Sequence, residues 1–139
     1  MSDPRVEAAA RALRPPDGLA AEFYRHCARG ELRFQRCRDC GRWRHPPRIL
    51  CPECNSSDWS WERSTGRGRV YSWTVTHQPL HPAYADVLPY AVLVVEMDEG
   101  VRVVAGLCDL EPSQLALDLP VEATLHPVSD DVGLVFFRP

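Results

Sequence analysis

The chain has 139 residues, of which 45% are hydrophobic and 25% are charged, as in an ordinary soluble protein with one domain and at most one small module. Its formal net charge is −3, and all of its basic side chains apart from histidine are arginines. No apolar run approaches the roughly 20 residues of a membrane span, and residues 1–4 lack the features of a secretion signal, so we expect a cytoplasmic protein without a membrane partner.

Charge is divided unevenly along the sequence. Residues 1–69 contain 14 arginines and 9 acidic residues, whereas residues 70–139 contain 2 arginines and 10 acidic residues. The first half would attract phosphate groups, and the second half would repel a polyanion such as a nucleic acid.

Two short helices are predicted first. Residues 5–13 are rich in strong helix formers, and a second helix runs from Leu19 to Ala28, with apolar residues at every fourth position and Gly30 as its cap. Each helix offers only a narrow apolar stripe. We therefore expect both to pack against another part of the protein.

Two C-x-x-C pairs separated by ten residues follow the helices: Cys37, Cys40, Cys51 and Cys54. This is the spacing of a zinc ribbon with four thiolate ligands. Gly41 and Asn55 come directly after the pairs, and these residue types tolerate the positive φ of a tight metal knuckle. Four thiolates leave no ligand position open, which predicts a structural zinc. The alternatives are two disulfides, a redox pair, or coincidence.

Other side chains around the ribbon have two interpretations. Trp43, Trp59 and Trp61 would form its small apolar core, or else a platform on which bases stack. Cys27 and Cys108 lie in apolar stretches and are predicted to be buried, inert thiols.

Beyond residue 64 the pattern changes to strands. Five are predicted, with a helical turn at 112–115 before the fourth: 70–76, 90–96, 101–106, 121–125 and 132–137. The fold class is therefore mainly β, with a closed OB-type barrel favoured over an open sandwich. We expect an N-terminal helical segment over 1–31, the ribbon over 32–63 and the barrel over 64–139.

The order of helix, ribbon and barrel, together with several short motifs, resembles a known family. The matching segments are Gly30-Glu31-Leu32, Gln35-Arg36-Cys37, Pro46-Pro47-Arg48, residues 66–74, His81-Pro82-Ala83-Tyr84 and the C-terminal Phe136-Phe137-Arg138-Pro139. The family is that of acyl-CoA-associated proteins with a rubredoxin-like zinc ribbon and an OB fold. Two positions depart from its pattern: His45 replaces an aromatic residue and Tyr24 replaces a common tryptophan. Residues 1–17 have no counterpart.

The resemblance implies a function in acyl-CoA and lipid metabolism. Members are partner subunits of thiolase-like enzymes, including steroid side-chain aldolases. It implies a non-catalytic subunit that docks a thiolase-like enzyme, helps bind acyl-CoA and forms a hetero-oligomer with two copies of each chain. The partner's reaction would be retro-aldol cleavage in steroid degradation, or a thiolase-type condensation.

Eight residues are candidates for acyl-CoA or partner binding: Phe23, Tyr24, Arg25, Arg29, Arg33, Arg48, His81 and Tyr84. Eight arginines between residues 25 and 48 face only two acidic residues and would suit the phosphates of coenzyme A, or else form a solvated surface. The two aromatic residues of the second helix would line an acyl groove or pack on the barrel. The proline-rich loop 81–84 would contact a partner.

Two other classes of function are disfavoured. The five histidines are scattered, and no nucleophile, phosphate-loop or dinucleotide motif is present, so we expect no catalytic residues and no turnover by the chain alone. A ribbon joined to an OB barrel is also suited to binding single-stranded nucleic acid. The acidic second half argues against that alternative.

Overall fold

The computed structural model describes residues 3–139. Two helices come first, α1 (Pro4–Ala12) and α2 (Gly18–Ala28). Asp3 caps α1, because its side chain accepts a hydrogen bond from the backbone N–H of Arg5 at 2.8 Å. After α2, Gly30 adopts a φ of 78°, as expected for a residue that ends a helix.

The ribbon is a three-stranded antiparallel sheet. It contains β1 (Arg33–Cys37), β2 (Trp43–Arg44) and β3 (Trp59–Arg63), in the order β2-β1-β3. Its three tryptophans are half-buried, and Trp59 and Trp61 meet edge to face with ring centroids 5.4 Å apart.

The second half of the chain is a closed five-stranded barrel, as predicted, and not an open sandwich. Its strands are β4 (Arg67–Thr76), β5 (Tyr90–Met97), β6 (Arg102–Leu107), β7 (Pro120–Pro127) and β8 (Gly133–Arg138), in the order β4-β5-β6-β8-β7. β6 and β8 pair in parallel, and the other pairs are antiparallel. Two 3₁₀ turns, Pro82–Tyr84 and Pro112–Gln114, lie in the connections.

Both helices pack on the barrel, as their narrow apolar stripes predict. Phe23 and Cys27 of α2 join Phe34 of the ribbon and barrel residues such as Leu93 in one core cluster. In α1, Val6 packs in a second cluster with residues of β8 and with Cys108. Cys27 and Cys108 are thus buried, as predicted, and burial raises the pKa of Cys27 to about 12.

The strands differ in how they are covered. Gly133 to Phe137 of β8 is buried without interruption, because α1 packs on Leu134 and Phe136, α2 lies against Gly133, and Val135 and Phe137 belong to the main core. β5 alternates instead: Leu93 and Val95 point into the core, whereas Val92 and Val94 are half-buried on the outer side. The outer side of β5 is therefore partly open. No helix within residues 3–139 is long and apolar enough to cross a membrane.

The boundaries after residues 31 and 63 stay a prediction. The ribbon and barrel sheets lie on the expected sides of residue 63.

Candidate functional site

The four ribbon cysteines meet at one point. The sulfur atoms of Cys37, Cys40, Cys51 and Cys54 all lie within 4.8 Å of one another. The Cys37 and Cys54 sulfurs are 3.5 Å apart, and those of Cys40 and Cys51 are 3.6 Å apart. A tetrahedron with zinc–sulfur bonds of about 2.3 Å has sulfur–sulfur edges of about 3.8 Å, so the cluster has the size that zinc requires. All six cysteines are free in this structure.

The backbone shapes each cysteine pair into a knuckle. The N–H of Gly41 donates to the carbonyl of Cys37 at 3.0 Å, and the N–H of Asn55 donates to that of Cys51 at 2.8 Å. Gly41 has a φ of 76° and Asn55 one of 63°, which confirms the conformation expected at these two positions. Hydrogen bonds from backbone N–H groups lower the pKa of Cys51 to about 6 and also lower the pKa of Cys37, and so favour the thiolate at these two positions, whereas the pKa values of Cys40 and Cys54 are raised.

A buried polar network fixes the loop after β2. Gln35, fully buried, accepts hydrogen bonds from the Nε of Arg44 at 2.9 Å and from the backbone N–H of Arg48 at 2.7 Å. Arg44 is 6% exposed, and its Nη2 donates to the carbonyl of Arg48 at 2.9 Å. Residues 45–47 lie between these anchors, and His45 packs on Phe23 of α2.

A cavity of about 520 Å³ lies where the helices, this loop and the barrel meet. We call it the junction cavity. Its lining is mostly apolar and aromatic, and small residues such as Ala9 and Ala12 of α1 leave it open. Gly106 of β6 lets the ring of Phe136 lie against the strand in the cavity wall, because a Cβ atom there would lie 2.3 Å from that ring. The cavity has the size and composition of a site for a small apolar ligand.

Three of the predicted binding residues line the junction cavity: Phe23, Tyr24 and Tyr84. Tyr84 stacks on Tyr90 with ring centroids 4.5 Å apart, and together they form one aromatic wall. Burial raises the pKa values of Tyr24 and Tyr84, so both phenols stay protonated at neutral pH. The structure therefore brings α2 and the loop 81–84 together, as a shared site requires.

The other five candidates do not line the junction cavity. The Nε atom of Arg33 forms a salt bridge with a carboxylate oxygen of Glu31 at 2.8 Å, and the Nε atom of Arg25 lies 3.8 Å from a carboxylate oxygen of Asp131. Arg29 is exposed at the end of α2, and His81 caps the turn Pro82–Tyr84. Arg48 lines a separate cleft of about 430 Å³, between the ribbon and the β5–β6 hairpin. Binding roles for all eight residues stay predictions.

His45 and the N-terminal helix were not predicted as site residues. His45 lines the cavity and packs on Phe23 and Phe34, with ring centroids 4.8 Å and 5.1 Å apart. Its Nδ1 is buried without a hydrogen-bond partner, and burial lowers its pKa to about 4. The only signal in the sequence was its departure from the aromatic residue usual at this position.

Comparison with known proteins assigns both β modules. Residues 25–60 match the family model of the ChsH2 rubredoxin-like zinc ribbon domain, and residues 61–126 match that of the ChsH2 C-terminal OB-fold domain. A solved structure, the Ltp2-ChsH2(DUF35) aldolase, contains a chain 36% identical to this one, with a TM-score of 0.81; the match covers 91% of this chain and 98% of that chain. The chain belongs to the ChsH2 family. The resemblance inferred from the sequence motifs is thereby confirmed.

Two curated relatives of the ChsH2 family are larger proteins. A probable enoyl-CoA hydratase alpha subunit of Thermomonospora curvata is 35% identical over 138 residues, which is 97% of this chain and 43% of that protein. The 3-oxo-4,17-pregnadiene-20-carboxyl-CoA hydratase alpha subunit of Mycobacterium tuberculosis is 38% identical over 94 residues, which is 68% of this chain and 29% of that protein. The chain thus spans less than half the length of either relative.

Proposed function

We propose that this chain is an accessory subunit that docks onto a thiolase-like enzyme and helps it bind an acyl-CoA thioester. The observation that carries the proposal is the match to the ChsH2(DUF35) chain of an aldolase, because it covers nearly all of both chains. A chain that matches one subunit over 91% of its own length and 98% of that subunit is suited to the same kind of assembly. The partner would supply the catalytic residues.

The proposed reaction is retro-aldol cleavage of a β-hydroxyacyl-CoA with a steroid-like acyl group. The names of two similar proteins support this reaction. One relative is a hydratase subunit for the CoA thioester of a pregnadiene carboxylate, and the matching solved structure is an aldolase. Phosphates of the CoA would bind at exposed arginines. Arg29 is the most suitable of the predicted residues, because Arg25 and Arg33 already face acidic side chains.

The cysteine cluster would hold one structural zinc ion. Cys37, Cys40, Cys51 and Cys54 would all be ligands, and bound zinc would supply the cross-link that holds the small ribbon together. The residues fit the metal, because the sulfur separations are close to those of a tetrahedral site and the knuckle N–H groups favour the thiolates of Cys37 and Cys51.

Reconstitution tests the proposed function. The chain and a thiolase-like protein similar to Ltp2 from the same genome are purified together and separately, and cleavage of a β-hydroxyacyl-CoA is measured for each sample. We expect turnover only from the combined sample, and we expect Arg29→Glu to raise KM at low salt by several fold, because exposed charges are screened at high salt. Turnover by the chain alone, or salt-dependent binding of a single-stranded oligonucleotide without any partner, would overturn the proposal.

A further inference from the structure

We propose that the junction cavity binds a bulky acyl group of the acyl-CoA, and that His45 hydrogen-bonds an oxygen on that group. The inference rests on the proposed function for the identity of the thioester, and it adds a site within this chain for the part of the substrate remote from the CoA. The acyl body would lie between α1, α2, the loop after β2 and the outer side of β6.

The shape of the cavity favours a rigid, bulky ligand over a short acyl chain. Its volume of about 520 Å³ lies within the range of sites for drug-sized molecules, about 300–1,000 Å³. Aromatic rings of Phe23, Tyr84 and Tyr90 form its walls, from α2, the turn Pro82–Tyr84 and β5. An acetyl group would leave most of this apolar surface uncovered, whereas a fused-ring acyl group would cover it.

His45 gives the cavity a polar side chain without a partner. The ring makes no hydrogen bond with any residue from 3 to 139, and the Nδ1 atom is buried. His45 belongs to the lining of both the junction cavity and the cleft beside Arg48. A site with an unpaired polar group favours a ligand that can pair with it, so an acyl body that carries a hydroxyl group should bind better than one without it.

Charge at the cavity suits an anionic thioester. Arg5 and Arg14 belong to its lining, which includes no described acidic residue. Arg5 is already engaged, because its Nη1 donates to the carbonyls of Leu107 at 3.2 Å and Leu110 at 2.8 Å and its Nη2 pairs with a carboxylate oxygen of Glu111 at 3.5 Å. Arg14 is exposed and has no described ion-pair partner. Arg14 is therefore the arginine of the lining that is available to a phosphate, and a cation beside an apolar cavity matches a ligand with an apolar body and a phosphate-bearing end.

Two pairs of variants separate the cavity from its surroundings. Val104→Trp fills the cavity from β6, at a position that is 68% exposed and therefore tolerant of a larger side chain. Its control is Val94→Trp, because Val94 is the cross-strand neighbour of Val104 and does not line the cavity. His45→Phe removes the polar group but keeps a ring between Phe23 and Phe34. Its control is His26→Phe, since His26 packs on Trp61 instead.

The experiment is calorimetric titration of the complex with its partner, using cholyl-CoA, its analogue without ring hydroxyls (cholanoyl-CoA) and acetyl-CoA. We expect cholyl-CoA to bind the parent more tightly than cholanoyl-CoA by roughly tenfold, about 1.4 kcal/mol. Val104→Trp should weaken both bulky ligands by at least about tenfold and leave acetyl-CoA within about twofold. His45→Phe should abolish the preference for cholyl-CoA. The control variants should behave as the parent does.

Three results would overturn the inference while leaving the proposed function intact. The first is equal affinity of Val104→Trp and Val94→Trp for cholyl-CoA, and the second is an unchanged preference for cholyl-CoA in His45→Phe. The third is loss of partner binding in Val104→Trp, because the cavity would then be a docking surface for a side chain of the partner. If the parent chain recruits no partner, the proposed function fails, and the same titrations on the isolated chain decide whether the cavity binds these ligands.

Discussion

Cys51 is buried at the start of the second knuckle, and its sulfur lies 3.6 Å from that of Cys40. We expect Cys51→Ser to lower the zinc content from one ion per chain to nearly none and to unfold the ribbon, because a structural zinc contributes folding free energy directly. Elemental analysis and proteolysis between residues 32 and 63 would measure both effects. Cys108→Ser, which changes a buried thiol outside the cluster, should keep its zinc; full zinc in Cys51→Ser would contradict the assignment.

His45 makes stability depend on pH. Its pKa is about 4 in the folded protein and about 6.5 in an unfolded chain. Between these values the unfolded chain binds a proton that the folded chain does not, so the free energy of unfolding falls as the pH is lowered from about 6.5 to about 4. The loss from this group between pH 7.5 and pH 5 should be about 2 kcal/mol.

The control for this dependence is His45→Phe. Burial also lowers the pKa values of His26 and His126, and acid releases zinc, but these effects are common to the parent and the variant. Urea denaturation of both proteins at pH 7.5 and pH 5 isolates the contribution of His45. Equal losses in parent and variant would show that the imidazole is not held in a desolvated position.

Gln35 and Arg44 form the buried pair that fixes the loop after β2. Gln35→Met removes the acceptor of two hydrogen bonds and leaves a buried guanidinium without it, so we expect a loss of about 2–4 kcal/mol in the free energy of unfolding. The double variant Gln35→Met with Arg44→Met should recover part of that loss in urea denaturation, because the unpaired charge is then absent. Strictly additive losses would contradict this coupling.

At the scale of elements, α2 lies directly on β8 at Gly133. A Cβ atom there would come within 2.4 Å of backbone atoms of Cys27 and Ala28, which cannot move independently of the helix. We expect Gly133→Ala to cost about 2–3 kcal/mol and to separate α2 from the barrel. Thermal unfolding would measure the loss of stability, and faster hydrogen exchange in residues 18–28 would show that α2 has separated from the barrel. Val104→Ala, at an exposed position, is the control; unchanged exchange in α2 would show that the helix is not closely packed there.

The sequence predicted most elements because each has a strong local signal. The run of apolar, largely β-branched residues from Tyr90 to Val95 marks a strand, and the cysteine spacing with Gly41 and Asn55 marks the knuckles. The junction cavity has no such signal. Its lining unites Ala9, Gly106 and Phe136, which are distant in sequence and individually ordinary, so only the packing of α1 on the barrel reveals it.

The sequence also could not show which arginines of the basic segment, residues 25–48, are free to bind a phosphate. The eight arginines between residues 25 and 48 read as one patch in the sequence. In the structure, Arg44 is buried, Arg33 pairs with Glu31, and Arg25 lies beside Asp131, a residue 106 positions later in the chain. Local composition could not predict which arginines stay available for a phosphate, because their partners come from other elements.

The whole molecule combines a ribbon, a barrel and helices around one cavity, and its central claim is that it works as a subunit. Native mass spectrometry of the chain co-expressed with a thiolase-like protein similar to Ltp2 tests this most directly. We predict a complex with two copies of each chain and one zinc ion in each copy of this chain. A stable 15.7 kDa monomer that remains separate from the co-expressed protein would contradict the account.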